Sequence, residues 1–151
     1  MKTKIFVTVG STYPLNRLIN EIDKLSSKEF EVFAQIGESE LKPKNIKYSR
    51  ILKQKKIIEK IKWCDIVISH AGVGTIIEVL NQNKKLILFP RLKKFGEAID
   101  DHQTEICKAF GKKYEIKWTT NEKKIEKLLK NIKKIKVKKE NKLVREIEKI
   151  I

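Results

Sequence analysis

Three observations predict an α/β fold, Rossmann-like, with a mostly parallel sheet and helices on both faces. Short apolar runs alternate with segments of helical spacing along most of the chain. One such run, Asp65-Ile66-Val67-Ile68, passes through a turn of small residues, Ser69-His70-Ala71-Gly72-Val73-Gly74, into a helical segment. The chain has 151 residues with 40% hydrophobic content, enough for one domain with a real core. That domain is expected over residues 1–120, with 121–151 as a basic amphipathic helical tail.

The elements follow in order. Ile5 to Val9 predicts the first strand, ending at Gly10. Pro14 suits the first turn of a helix running to about Leu25, with Leu15, Leu18, Ile19, Ile22 and Leu25 on one face. Glu31 to Ile36 predicts a second strand closed by Gly37, and Lys47 to Arg50 a short third. Ile57, Ile58 and Ile61 mark a helix that brings Trp63 and Cys64 to the sheet. Ile66 to Ser69 is the fourth strand, Thr75 to Asn81 a helix, and Lys85 to Phe89 the fifth strand, stopped by Pro90. Asp101 to Phe110 is expected to be helical and Tyr114 to Trp118 to form a last strand. In the tail, Ile125, Leu128, Leu129, Ile132 and Ile135 fall at helical spacing, as do Leu143, Ile147 and Ile150, with a break at Val137-Lys138-Lys139.

Composition narrows the class. Charged residues make up 36% of the chain, which sets it apart from disordered and membrane-embedded chains. No apolar run approaches the roughly 20 residues needed to cross a bilayer, and the N-terminal run reads as a strand rather than a signal peptide. A cytoplasmic location is expected. Cys64 and Cys107 lack any metal-binding or redox spacing and are expected to be reduced, buried thiols. The net charge of +16 calls for an anionic partner. Nucleic acid, an anionic membrane face, an acidic protein and a phosphorylated substrate all satisfy it, and Lys-rich coding bias produces the same number.

Chemistry concentrates in three places. A glycine-rich turn between a strand and a helix presents free N–H groups and the positive end of the helix dipole, which together bind phosphate. Here Gly72 and Gly74 admit a close ligand, Thr75 offers a hydroxyl, and His70 and Glu78 add a donor and an acceptor, the elements of a diphosphate and ribose cradle. The spacing Thr75-x-x-Glu78 is also that of a capping box, so the turn equally serves to start a helix. Gly10, Ser11 and Thr12 follow the first strand and would share the same rim, or simply open the next helix. After the fifth strand, Glu97, Asp101, His102 and Gln103 gather groups that suit sugar hydroxyls, although Asp100 and Asp101 also favour a helix N-terminus. No Asp-x-Asp pair is present, so no metal-held diphosphate, and hence no metal or cofactor, is expected. No Ser/His/Asp or Cys/His arrangement for covalent catalysis is readable.

Taken together, Phe6-Val7-Thr8-Val9-Gly10-Ser11-Thr12, Gln35-Ile36-Gly37, Ile68 through Thr75 with Glu78-Val79-Leu80, Pro90-Arg91, Gly96-Glu97 and Asp101-His102-Gln103 resemble the C-terminal, donor-binding half of family 28, GT-B-type glycosyltransferases. The resemblance extends to the PssE-type small subunits of two-component exopolysaccharide enzymes. It implies that His70, Gly72, Gly74 and Thr75 hold the diphosphate of a UDP-sugar, with His70 stabilising the leaving group, and that Glu78 accepts from the ribose. It also places the uracil against the backbone of Ile51 and Leu52, and the transferred sugar near Glu97, Asp101, His102 and Gln103. Asn16 and Ala98 depart from the Asp and His frequent in the family, and both departures bear on sugar identity.

Such a half-enzyme implies a partner. A membrane-anchored, acceptor-binding subunit would carry the general base and a lipid-linked acceptor, holding this chain at the inner face of the cell membrane. The Lys-rich tail would dock on that partner, lie on an anionic membrane, or pack on its own sheet. The rivals are a basic nucleic-acid-binding α/β module and a non-catalytic nucleotide-sugar scaffold. The chain lacks the interleaved aromatics of a single-strand binder, so no nucleic-acid partner is expected.

Overall fold

The computed structural model describes residues 1–25, 27–114 and 116–132. Its elements are β1 (Thr3–Thr8), α1 (Asn16–Asp23), β2 (Phe30–Gln35), β3 (Lys47–Ser49), α2 (Gln54–Trp63), β4 (Ile66–Ser69), α3 (Val73–Asn81), β5 (Lys85–Leu88), α4 (His102–Tyr114), β6 (Lys117–Trp118) and α5 (Ile125–Asn131). Short 3-10 turns occupy Lys93–Phe95 and Glu122–Lys124. The six strands form one sheet in the order β3-β2-β1-β4-β5-β6, and all pairings are parallel. The expected α/β architecture is therefore present, with a sheet that is wholly parallel.

Strand β1 lies at the centre, with Val7 level with Ala34 on one side and Ile68 on the other. Its side chains alternate between two cores, as a pleated strand requires. Ile5, Val7 and Val9 join Leu18, Ile19 and Ile22 of α1 on one face. Phe6 joins Ile61, Ile76, Val79, Leu80, Ile106 and Phe110 of α2, α3 and α4 on the other. Leu18, Ile19 and Ile22 are at most 1% exposed, and burying each contributes about 1.5–3 kcal/mol.

Several boundaries differ from expectation. Helix α1 begins at Asn16, not Pro14, and ends at Asp23, leaving Leu25 beyond it. The reason is a long-range contact: the Tyr13 carbonyl accepts from the Arg91 guanidinium, which holds the Tyr13-Pro14 segment in the loop after β1. Tyr114 closes α4 rather than opening the last strand, which is reduced to Lys117–Trp118. Asp101 precedes α4.

Part of the tail packs on the α1 face of the sheet. Ile125 is fully buried and Leu129 nearly so, both in the core that α1 covers. Glu122 pairs with Arg17, and Lys123 with Glu21. The expected second tail helix, including Leu143, Ile147 and Ile150, lies outside the described residues, as do Ile135 and the break at Val137. Both cysteines are free and buried, and burial pushes their thiols up, to about 11 for Cys64 and about 12 for Cys107, so neither is a thiolate at neutral pH. Among the described residues, no helix is long and apolar enough to cross a membrane.

Candidate phosphate-binding rim

The strand order reverses between β1 and β4, so the loops that leave their carboxyl ends run in opposite directions. An open α/β sheet has its ligand crevice at that point. Gly10 leaves β1 there, and His70 leaves β4.

The two loops are built around the His70 imidazole. His70 N–H donates to Thr8 O at 3.2 Å, placing the ring beside β1. A Cβ on Gly10 would come within 2.8 Å of His70 Nε2, and a Cβ on Gly72 within 2.4 Å of Cε1. Both positions are glycine because the ring occupies the space a side chain would need. Gly10 also has φ of +74°, a conformation other residues adopt only under strain. Burial, reinforced by the Arg91 charge, pulls the His70 imidazole down to about 4. It is neutral at pH 7.

Helix α3 begins one residue beyond Gly72, which is extended at φ −83°, ψ 124° and supplies no side-chain cap. Thr75 is therefore the third helical residue, not the cap, and the capping box that the spacing allows as an alternative does not form. Glu78 accordingly sits in the second turn rather than the first. The first intrahelical bond runs from Ile76 N–H to Gly72 O at 3.1 Å. The N–H groups of Val73, Gly74 and Thr75 thus point out of the helix start without intrahelical partners. A Cβ at Gly74 would meet nothing within 4 Å, so internal packing does not require glycine there. Thr75 and Glu78 are half-buried, and Ser11 and Thr12 exposed. Among the described residues, none of these four side chains forms a hydrogen bond or ion pair.

The loop after β5 is organised differently. Gln103 Oε1 accepts from Ala71 N–H at 3.1 Å and Arg91 N–H at 3.0 Å, and Gln103 Nε2 lies 3.2 Å from His70 Nδ1. Glu97 is 3% exposed. Its carboxylate accepts from Arg17 Nε at 2.8 Å, from the second Arg17 nitrogen at 2.9 Å and from Leu92 N–H at 3.0 Å. Asp101 accepts from Lys93 N–H at 2.9 Å, and the exposed His102 lies 3.2 Å from Glu105. Sequence reasoning places Glu97 and Gln103 against a sugar, whereas the structure shows both engaged inside the protein.

The braces of this rim escaped the sequence reading. Arg91, 2% exposed, donates to Val9 O, Tyr13 O and Glu97 O, tying the β5 loop to the β1 loop. Its Nε is buried without a partner among the described residues. Arg17 lies between the Phe89 and Phe95 rings, 4.7 and 4.3 Å from their centroids, and also donates to Thr120 O and Glu122. Gln35 donates to Gly10 O and Arg50 O while accepting from Thr8 Oγ1, linking the loops after β1 and β3. Beyond β3, Ile51 is 69% exposed and its carbonyl accepts from Ser49 Oγ, while Leu52 is half-buried. A signal for the arginines was available: in a chain dominated by lysine there are only four.

Among the described residues, no group of three His, Cys, Asp or Glu side chains could hold a metal ion. A concavity of about 420 Å³ lined by Thr3, Asp65, Gln82, Asn83, Lys84 and Lys85 lies at the opposite, amino end of the strands and contains none of the expected site residues.

The model of the "Glycosyltransferase family 28 C-terminal domain" matches residues 4–150. The UDP-N-acetylglucosamine--N-acetylmuramyl-(pentapeptide) pyrophosphoryl-undecaprenol N-acetylglucosamine transferase of Prochlorococcus marinus (strain MIT 9215) is 35% identical over 94 residues, 59% of this chain and 25% of that protein. The UDP-N-acetylglucosamine transferase subunit ALG13 of Candida albicans is 44% identical over 57 residues, 38% of this chain and 17% of that protein. The match thus spans a quarter or less of these curated relatives. Among solved structures, Acinetobacter baumannii MurG superposes with a TM-score of 0.60 at 19% identity, covering 87% of this chain and 41% of that one. An NMR structure of ALG13 superposes with a TM-score of 0.57 at 21% identity, covering 85% and 84%. At these identities the superpositions speak to fold.

Proposed function

Since the chain belongs to the family of glycosyltransferase family 28 C-terminal domains, we propose that it is the donor-binding subunit of a two-component, inverting UDP-sugar glycosyltransferase. The observation that carries this reading is the crevice between β1 and β4, where an imidazole lies against Gly10 and against Gly72, the residue from which the uncapped helix α3 starts. The printed names of the relatives, UDP-N-acetylglucosamine transferases, support a UDP-sugar and make UDP-N-acetylglucosamine the donor to test first. The word "subunit" in the name of ALG13 supports a two-component enzyme.

In this reading the acceptor oxygen attacks the anomeric carbon while the bond from that carbon to the UDP oxygen breaks. The electron pair leaves with UDP, and the acceptor proton passes to a base on the partner. The Val73, Gly74 and Thr75 N–H groups, the Thr75 hydroxyl and a neutral His70 N–H stabilise the charge that develops on the diphosphate. Arg91 adds positive potential from behind. Glu78 holds the ribose, the backbone at Ile51 and Leu52 the uracil, and Asp101 and His102 reach toward the sugar. Charge stabilisation falls to these groups, with no metal or cofactor. The partner is a membrane-anchored subunit that presents a lipid-linked acceptor in polysaccharide synthesis, PssE-type pairs being the pattern, and it holds this chain at the inner membrane face.

Titrating the pure chain with UDP and with an oligonucleotide at two salt concentrations tests the core of the reading. UDP is expected to bind with little salt dependence, and oligonucleotide affinity to be weak and steeply salt-dependent. The reverse pattern replaces it with a nucleic-acid module. Sugar transfer is expected only after the partner is added. His70→Ala in the assembled enzyme is expected to lower turnover about a hundred- to a thousandfold.

A further inference from the structure

Gln103 has three neighbours that leave its amide no freedom. The N–H groups of Ala71 and Arg91 both point at one end of it, at 3.1 and 3.0 Å. An N–H can only donate, so that end is the oxygen and the other is the NH2 group. The NH2 lies 3.2 Å from His70 Nδ1 and can only donate to it. Nδ1 is then the lone-pair nitrogen, and the proton of the neutral ring sits on Nε2.

We propose that Gln103 is a positioning residue that fixes His70 as its Nε2–H tautomer, making the imidazole a permanent, uncharged donor in the crevice between β1 and β4. Nε2 lies on the ring edge that faces both glycines, 2.8 Å from where a Cβ on Gly10 or on Gly72 would stand. It has no hydrogen-bond partner among the described residues. A ring free to exchange tautomers would turn a lone pair toward an anion for part of the time. Gln103 removes that state, and the Ala71 and Arg91 amides in turn hold Gln103. The use of the donor on a diphosphate oxygen rests on the function proposed above, whereas the tautomer itself does not.

Nitrogen-15 NMR of the full, ligand-free chain reads the tautomer directly. The chain has two histidines, so the signals missing in His70→Asn assign the ring. The wild type is expected to show an unprotonated Nδ1 and a protonated Nε2. Gln103→Glu keeps an oxygen toward Ala71 and Arg91 but sets a second oxygen against Nδ1, and it is expected to place a proton on Nδ1. Gln103→Met, which keeps the length and loses both polar ends, is expected to give a mixture. A wild-type Nδ1–H tautomer, or an unchanged Nε2–H tautomer in both variants, overturns the proposal.

UDP titration supplies the functional arm. A Gln103→Glu protein with the flipped tautomer is expected to bind UDP roughly tenfold or more weakly, since a lone pair replaces a donor. Unchanged affinity in that flipped protein overturns the role given to the donor. A wild type that shows the expected tautomer yet binds no UDP counts against the phosphate-binding rim, not against Gln103.

Discussion

Two glutamates on the same rim illustrate how differently the molecule uses one side chain. Glu97 is 3% exposed, and its carboxylate is taken by Arg17 and the Leu92 N–H. Glu78 is half-buried on α3, and among the described residues nothing pairs with it. The contrast extends to their surroundings. Around Glu97, buried polar groups bond one another, Arg91 Nε excepted, and build a frame from the β1 loop to the 121–124 turn. Around Glu78, the free helix start, the Thr75 hydroxyl and the Nε2 edge of His70 are left unspent. A polar group saturated by the protein supports a site, while one left unsatisfied at a crevice is ready for a ligand.

The sharpest way to break this contrast is to remove the two carboxylates separately. Glu97→Ala strips a bidentate partner from Arg17 and leaves the Leu92 N–H buried and unpaired. It is expected to destabilise the fold by about 3–5 kcal/mol, measured by urea unfolding. A loss under 1 kcal/mol combined with a lost ligand affinity would move Glu97 to the ligand side of the comparison.

A second probe uses pH. The folded His70 sits at about 4 against 6.5 for an ordinary histidine, so between those values the unfolded chain binds more protons than the folded one. The stability this neutral, buried ring requires is fully present above pH 6.5 and is lost as pH falls toward 4. The difference from a His70→Asn variant, whose curve lacks this component, is expected to reach roughly 3 kcal/mol across the window. Parallel curves would show an imidazole that is solvated, and hence a looser frame than the two glycines imply.

Glu78→Ala is the counterpart of Glu97→Ala, and its effect should fall on the other observable. Losing a charged acceptor for ribose hydroxyls is expected to weaken UDP binding by about 1.5–3 kcal/mol. Stability should stay within about 0.5 kcal/mol, because no contact inside the protein is removed. Equal losses in both measurements would erase the distinction between the two carboxylates.

The division of labour was only half legible in the sequence. The switch-point turn could be read because glycine and histidine at a strand-to-helix junction carry meaning locally. The helix start was misplaced by two residues because the extended backbone at Gly72, not the Thr75 hydroxyl, begins α3. The pairing of Glu97 could not be read because its partner, Arg17, is 80 residues away in sequence. The internal bonds of Gln103 are equally invisible in the sequence, since the Ala71 and Arg91 amides that hold its oxygen are brought together only by the neighbouring ends of β4 and β5. The arginines offered the missing clue. Arg17, Arg50 and Arg91 each donate to the carbonyls or carboxylates of loops at the carboxyl edge of the sheet. A guanidinium reaches several acceptors at once where an ammonium makes a compact point contact, so an arginine kept in a lysine-rich chain marks a brace.

The smallest expected effect is also the one with opposed signs. Gly74 lies in the first turn of α3, where a Cβ would meet nothing, so no packing argument explains its being glycine. Replacing it with Ala lowers the entropy of the unfolded chain and improves helix propensity, and it is expected to stabilise the fold by about 0.5–1 kcal/mol. The same methyl group would stand where a diphosphate must approach the helix N–H groups, so UDP affinity should fall while the melting temperature rises. Gly72→Ala is the control: its methyl group would collide with the His70 ring, so both stability and affinity should drop. A Gly74→Ala protein that is more stable and binds UDP as well as the wild type would show that the ligand does not approach α3 at this residue, and the crevice would need a different occupant.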